Sequence, residues 1–180
     1  MKKLPFLLIF LFLFSSSCSQ ENSYFQRVLN ADSESENWLL HGRTYDESRF
    51  SPLKDINDSN VQDLGLAWSF ETGTNRGHET TPIVVDGMMF ISAPWSVVFA
   101  LDPKTGEKLW SFDPQADKAW ARNACCDVVN RGVAVWEDQV IFATIDGRLI
   151  SLNKDSGKVN WDILTIDKSK PYTITGAPRI

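Results

Sequence analysis

The chain has 180 residues, 43% hydrophobic, 23% charged and 12% aromatic, a balance that rules out disorder, collagen or coiled coil as its main character. Its net charge is −5, and the first 18 residues hold Lys2 and Lys3 but no acid, so the remainder is more acidic still; this argues against a nucleic-acid partner, which needs a basic face. Seven tryptophans beside ten glycines and eight prolines favour a turn-rich β architecture.

The chain opens with two lysines, the apolar run Leu4–Phe14 and then Ser15-Ser16-Ser17-Cys18. The run is shorter than the roughly 20 residues that a membrane-crossing helix needs and suits the apolar centre of a secretory signal. Residues 1–18 are therefore expected to direct export, and the mature chain to lie outside the cytoplasm, in a periplasmic setting where disulfides persist. Ser17 before Cys18 also resembles a bacterial lipoprotein cleavage site, which would make Cys18 a lipidated first residue and a lipid anchor. Residues 19–37 are polar and read as a tether.

From residue 38 onward the chain repeats itself. Leu101-Asp102-Pro103-Lys104-Thr105-Gly106-Glu107-Lys108-Leu109-Trp110 falls on Leu152-Asn153-Lys154-Asp155-Ser156-Gly157-Lys158-Val159-Asn160-Trp161 at an offset of 51, and Val84–Ile91 falls on Val135–Phe142 at the same offset. Each unit reads as four short strands: an apolar strand, a turn, a second apolar strand, a third (Val97–Leu101; Arg148–Leu152), a turn closing on glycine, and a fourth bearing tryptophan. Four-stranded units at this period indicate the blades of a β-propeller. Gly106 and Gly157 supply the backbone freedom of a tight turn, and Trp110 and Trp161 supply large plates for packing between blades.

Leu66–Glu71 echoes Leu109–Asp113 and reads as the outer strand of an earlier blade, while Gly176-Ala177-Pro178 echoes Thr80-Thr81-Pro82 and starts a later one. Two complete units with partial ones on either side cannot close a ring of about four blades or more, so residues 38–180 are expected to be the N-terminal part of a larger propeller. The aspartates Asp102, Asp146 and Asp155 read as hairpin caps, and neither His41 nor His78 receives a role.

In a propeller the first strand of each blade lines the central channel. Glu79 stands three residues before Pro82 and Thr175 three before Pro178, whereas Arg131 is one beyond Asn130, the repeat equivalent of Glu79. An acid, a cation and a hydroxyl from successive blades are thus expected to converge on one rim. Cys125 and Cys126 lie just upstream of Arg131. Neighbouring Cα atoms sit about 3.8 Å apart, below the usual disulfide span of about 4.4–6.8 Å, so a bond between them would close a tight ring. The pair reads either as such a ring, a stiff polarizable plate beside the channel, or as two buried thiols behaving as small hydrophobes. Adjacent thiols without a second pair or a nearby histidine make a poor tetrahedral metal site.

WLLHGRTYDESRFSPL (38–53), LGLAWSFETGTNRGHETTP (64–82), WARNACCDVVNRGV (120–133) and YTITGAP (172–178) together resemble the N-terminal part of pyrroloquinoline quinone (PQQ)-dependent alcohol dehydrogenases, especially the quinohaemoprotein kind. The resemblance implies an all-β, eight-bladed propeller that holds PQQ in its channel, flat against a vicinal disulfide, here Cys125 with Cys126. It implies that Glu79 hydrogen-bonds the polar edge of PQQ, that Arg131 pairs with one of its carboxylates and that Thr175 donates to it. It further implies a calcium ion polarising the quinone, an aspartate that takes the alcohol proton, and cytochrome c, as an attached haem c domain or a separate partner, receiving the electrons. In the family the calcium ligands, that aspartate and the haem-binding motif lie beyond position 180, so residues 1–180 by themselves are expected to be inactive. The competing class is a non-catalytic propeller lipoprotein that scaffolds outer-membrane protein assembly; Cys125-Cys126 together with Arg131 and Glu79 separates the two, because a scaffold has no use for such a set.

Overall fold

The computed structural model describes residues 23–180. The export signal, the lipid anchor at Cys18 and the start of the tether fall on residues 1–22, outside that range. Among the described residues no helix is long and apolar enough to cross a membrane.

Two four-stranded antiparallel sheets make up the body. The first runs in the order β1 (Ile83–Val85), β2 (Met88–Ser92), β3 (Val98–Leu101), β4 (Lys108–Phe112), and the second repeats it with β5 (Ala134–Trp136), β6 (Gln139–Ala143), β7 (Arg148–Asn153), β8 (Val159–Leu164). The third strands thus start or end one residue away from the expected limits. Even the pairing repeats: Ile83 faces Phe90 as Ala134 faces Ile141, and the bulge between Ala100 and Leu101 recurs between Ser151 and Leu152. These are two blades of a propeller. Inner strands are short, apolar and β-branched, whereas β4 and β8 are mostly exposed, as outer strands are. Asp86 and Gly87 both take positive φ, 52° and 75°, which is the two-residue hairpin geometry matched to strand twist.

One core spans both blades, with Ile83, Val85, Phe90 and Val98 from the first packed with Val135, Val140, Phe142 and Ile150 from the second. Tryptophan and glycine lock the blades laterally. Trp110 lies against Gly157, where an added Cβ would come within 2.8 Å of the ring, and its indole N–H donates to the Lys154 carbonyl at 2.9 Å. Trp68 does the same one blade earlier, against Gly106 and onto the Pro103 carbonyl at 3.1 Å. Blade packing, expected for Trp110, is thus its role, and Gly106 and Gly157 are required twice, for their left-handed φ of 73° and 67° and for the space the ring takes. Residues 66–71, read as an outer strand, form no ladder among the described residues; Trp68 and Phe70 still pack on the first blade, with Phe70 5.1 Å from Phe99.

The expected tether over 19–37 is corrected from residue 23 onward. Ser23 caps a helix, α1 (Tyr24–Leu29), whose Tyr24 and Val28, one turn apart, are buried in the shared core. The Tyr24 hydroxyl donates to the Leu39 carbonyl at 3.1 Å and its ring meets Trp136 at 5.3 Å. Arg27 joins Glu34 and Asp86, each at 2.7 Å, and Lys154 reaches Asp86 from the second blade. Arg27 holds the Glu34 carboxyl below its ordinary value against the opposing effect of burial, and for Asp86 burial is likewise outweighed by Arg27 and Lys154 together. Polar composition hid a helix because its two apolar residues are few but spaced for one face.

Candidate functional site at the blade rim

The starts of successive inner strands are stitched together. The Thr81 N–H donates to the Arg131 carbonyl at 3.2 Å, and the Arg131 N–H donates to the Thr175 carbonyl at 2.9 Å, so Arg131 is clamped between the first blade and the segment after the second. Gly132, at φ 130°, allows this approach, since a Cβ there would stand 3.1 Å from the Thr81 carbonyl oxygen. Asn130 is 1% exposed and acts from below: its amide donates to Ser96 Oγ at 3.1 Å and to the Ala143 carbonyl at 2.9 Å, while its oxygen accepts the Gly132 N–H at 3.0 Å. A buried side-chain amide with three partners fixes the backbone from which Arg131 projects.

The side chains converge as well. Arg131 pairs with Glu79 at 2.7 Å and donates to Thr175 Oγ1 at 2.6 Å. Both charged groups are about 40% exposed, 42% for Arg131 and 41% for Glu79, so the fork is oriented yet open to a ligand. Cys125 and Cys126 sit beside them with their sulfurs 2.6 Å apart and unbonded, and both are exposed, which removes the reading of two buried thiols. The Cys126 thiol is pushed above its ordinary range, first by its hydrogen bond and charge coupling to Cys125; Glu79 pushes the same way and the Arg131 cation opposes. All five residues singled out in the sequence, Glu79, Cys125, Cys126, Arg131 and Thr175, therefore belong to one rim.

The loop carrying the cysteines is anchored from the second blade and the segment after it. Asp146, read as a hairpin cap, instead accepts the Asp117 N–H at 3.1 Å while nearly buried, and also takes the Thr144 hydroxyl and the Arg148 guanidinium. Burial alone would raise its pKa, but those hydrogen bonds and the Arg148 and Lys168 charges hold it below its ordinary value. Trp120 donates to the Tyr172 carbonyl at 2.7 Å, and Arg148 to the Pro114 carbonyl at 2.6 Å. Asp102 caps its turn as expected, accepting from the N–H groups of Lys104 and Thr105, but in the second blade that task falls to Asn153 rather than Asp155.

The histidine side chains have other partners than the Glu79, Arg131 and Thr175 side chains. His78 Nε2 is 2.7 Å from Thr72 Oγ1, and His41 lines a cavity of about 250 Å³ with Leu39, Val133, Ala134 and Pro178. Burial and the nearby Arg179 and Arg49 depress the His41 pKa.

The model of the β-propeller domain of PQQ-type glucose/ethanol/alcohol dehydrogenases matches residues 38–162. The chain belongs to this family. Among its relatives, quinohemoprotein alcohol dehydrogenase ADH-IIG of Pseudomonas putida is 52% identical over 155 residues, 86% of this chain and 22% of the relative. A 1-butanol dehydrogenase (cytochrome c) of Thauera butanivorans is 51% identical over 144 residues, 79% of this chain and 21% of the relative. The solved structure of quinohemoprotein alcohol dehydrogenase ADHIIG from Pseudomonas putida HK5 superposes with a TM-score of 0.84 at 51% identity, covering 86% of this chain and 23% of that one. This PQQ-type propeller chain thus spans about a fifth of the length of its relatives, and the family match takes in the first blade, the whole loop between the blades and the second blade up to residue 162, within β8.

Proposed function

We propose that this rim is one side of a PQQ site in a periplasmic alcohol dehydrogenase that oxidises alcohols to aldehydes and passes the electrons to cytochrome c. The observation that carries the reading is the half-exposed Arg131 fork, oriented by Glu79 and Thr175 and set beside the Cys125-Cys126 pair. The donor set fits the cofactor's chemistry. A planar tricarboxylate calls for a guanidinium, a hydroxyl donor and a polarizable surface against its ring face. Bound there, PQQ would supply the electron-accepting quinone that the side chains of this chain lack.

The chain's own residues would bind and orient. Arg131 would neutralise a cofactor carboxylate, with Glu79 keeping the guanidinium in plane and accepting from the cofactor's polar edge. Thr175 would add a hydroxyl donor. Cys125 and Cys126, closed as a vicinal disulfide in the oxidising compartment, would form the plate under the ring.

Among the described residues no group of three or more His, Cys, Asp or Glu stands ready to hold a metal. In this reading the calcium ligands and the aspartate base come from other parts of the protein, as does any haem c. The lysine-led apolar segment ahead of Cys18 supports export, with lipidation of Cys18 as the attachment. Fluorescence titration of the full-length protein with PQQ tests the site: saturable binding that Arg131→Ala weakens and Lys104→Ala does not is the expected result, and equal effects of the two would remove Arg131 from the site. Non-reducing mass spectrometry tests the plate, which should make the protein lighter by the two thiol hydrogens.

A further inference from the structure

The chain leaves Cys126 through a backbone bend that a side-chain-bearing residue rarely adopts. Asp127 has φ 66°, and this left-handed step turns the chain from the exposed pair into Val128, which is 2% exposed. Facing it across a single hydrogen bond is a second left-handed residue, Trp95 at φ 65°, whose N–H donates to the Val128 carbonyl at 3.0 Å. Left-handed conformations at Asp127, Trp95 and the adjoining Ser96 persist only where the surroundings hold them. The Trp95 ring packs on the cluster of Ala116, Val128 and Ile145, next to Ala121 and Ala124 on the approach to the cysteines. Arg76 spans the two. Its guanidinium pairs with the Asp127 carboxylate and lies 5.7 Å from the Trp95 ring centroid, with Lys118 Nζ 5.1 Å from the same ring.

We propose that Arg76 is a positioning residue for the cysteine pair: by bridging Asp127 and Trp95 it holds the left-handed bend that delivers Cys125 and Cys126 to the rim beside Arg131. Neither Arg76 nor Asp127 belongs to the Glu79, Arg131 and Thr175 constellation, and each touches the pair only through backbone geometry. The inference deepens the proposed cofactor site, but its first test needs no cofactor.

Fully reduced full-length protein is equilibrated with mixtures of glutathione and glutathione disulfide, and the fraction of closed Cys125-Cys126 is read by mass. In each closure the two thiols lose two electrons to one glutathione disulfide, which leaves as two glutathiones carrying the two thiol protons. Arg76→Ala should lower the closing constant about tenfold, a shift of about 30 mV for this two-electron couple. Asp127→Asn, which keeps a residue tolerant of the bend but loses the charge, should fall as far, and Arg76→Lys should lie between. Trp110→Phe, which removes a hydrogen bond between the blades away from the rim, should leave the constant unchanged. Closing constants for Arg76→Ala and Asp127→Asn within twofold of the parent would overturn the proposal, as would an equal drop in Trp110→Phe. Should Arg76→Ala not fold, the Asp127→Asn and Arg76→Lys values decide in the same way. PQQ affinity is then measured on the same variants. A parent protein that fails to bind PQQ would sink the cofactor reading while the closing constants still judge Arg76.

Discussion

The two ends of each blade obey different rules. At the end holding the β1–β2 and β3–β4 turns, the second blade copies the first position for position: Gly157 follows Gly106, Asn153 takes the capping place of Asp102, and Trp110 seats on the second turn as Trp68 seats on the first. At the rim the copies part company. Glu79 on the first blade stands where Asn130 stands on the second, Asn130 turns inward as a buried brace, and the cation arrives one residue later as Arg131. Packing between like neighbours rewards repetition, whereas a site for one asymmetric ligand requires each blade to contribute a different group.

The contrast can be broken at its repetitive end first. Gly106→Ala should cost about 2–4 kcal/mol in denaturant unfolding, because it adds a left-handed penalty and a Cβ 2.4 Å from the Trp68 ring. Gly87→Ala, at φ 75° but facing open space, should cost only about 1–2 kcal/mol. Equal costs would mean that turn strain, not the tryptophan seat, dictates glycine. At the rim the expected pattern inverts: Arg131→Ala should leave the unfolding midpoint nearly unmoved yet weaken PQQ binding by about 1.5–3 kcal/mol, measured by fluorescence titration.

Asp146 sits between the two regimes, bracing the cysteine loop from the second blade. Its pKa is lower folded than unfolded, so its stabilisation is fully present above the ordinary carboxylate value of 3.8 and is lost as pH falls through the folded value. Asp146→Asn should therefore cost about 1–2 kcal/mol at pH 7 and converge with the parent once the pH has fallen below the folded carboxyl's value, followed by unfolding at stepped pH. The smallest effect belongs to Trp110→Phe, which keeps the plate but forfeits the indole bond to Lys154, about 1 kcal/mol in the same unfolding assay.

Legibility in the sequence followed the same divide. The offset of 51 revealed strands, turns and the tryptophan packing, because periodic packing leaves a periodic trace. Glu79, Arg131 and Thr175 could be named from their place just before each inner strand, and the cysteines from their adjacency. Helix α1 escaped notice because two apolar residues, Tyr24 and Val28, are too few for a periodic signal. Asn130, Asp146 and Arg76 escaped for another reason: each acts on a partner distant in the chain, Ala143, Asp117 and Asp127 respectively, and nothing local marks such a bond. The seat that Trp68 and Trp110 take on glycine was likewise hidden, since the turn alone already accounted for the glycine.

That seat has a direction. Each indole belongs to the stretch preceding the turn it covers, so a newly made blade meets a docking plate already laid down behind it. A chain delivered amino end first can consequently set in sequence, like a ratchet advancing tooth by tooth, with every added tooth held before the next arrives.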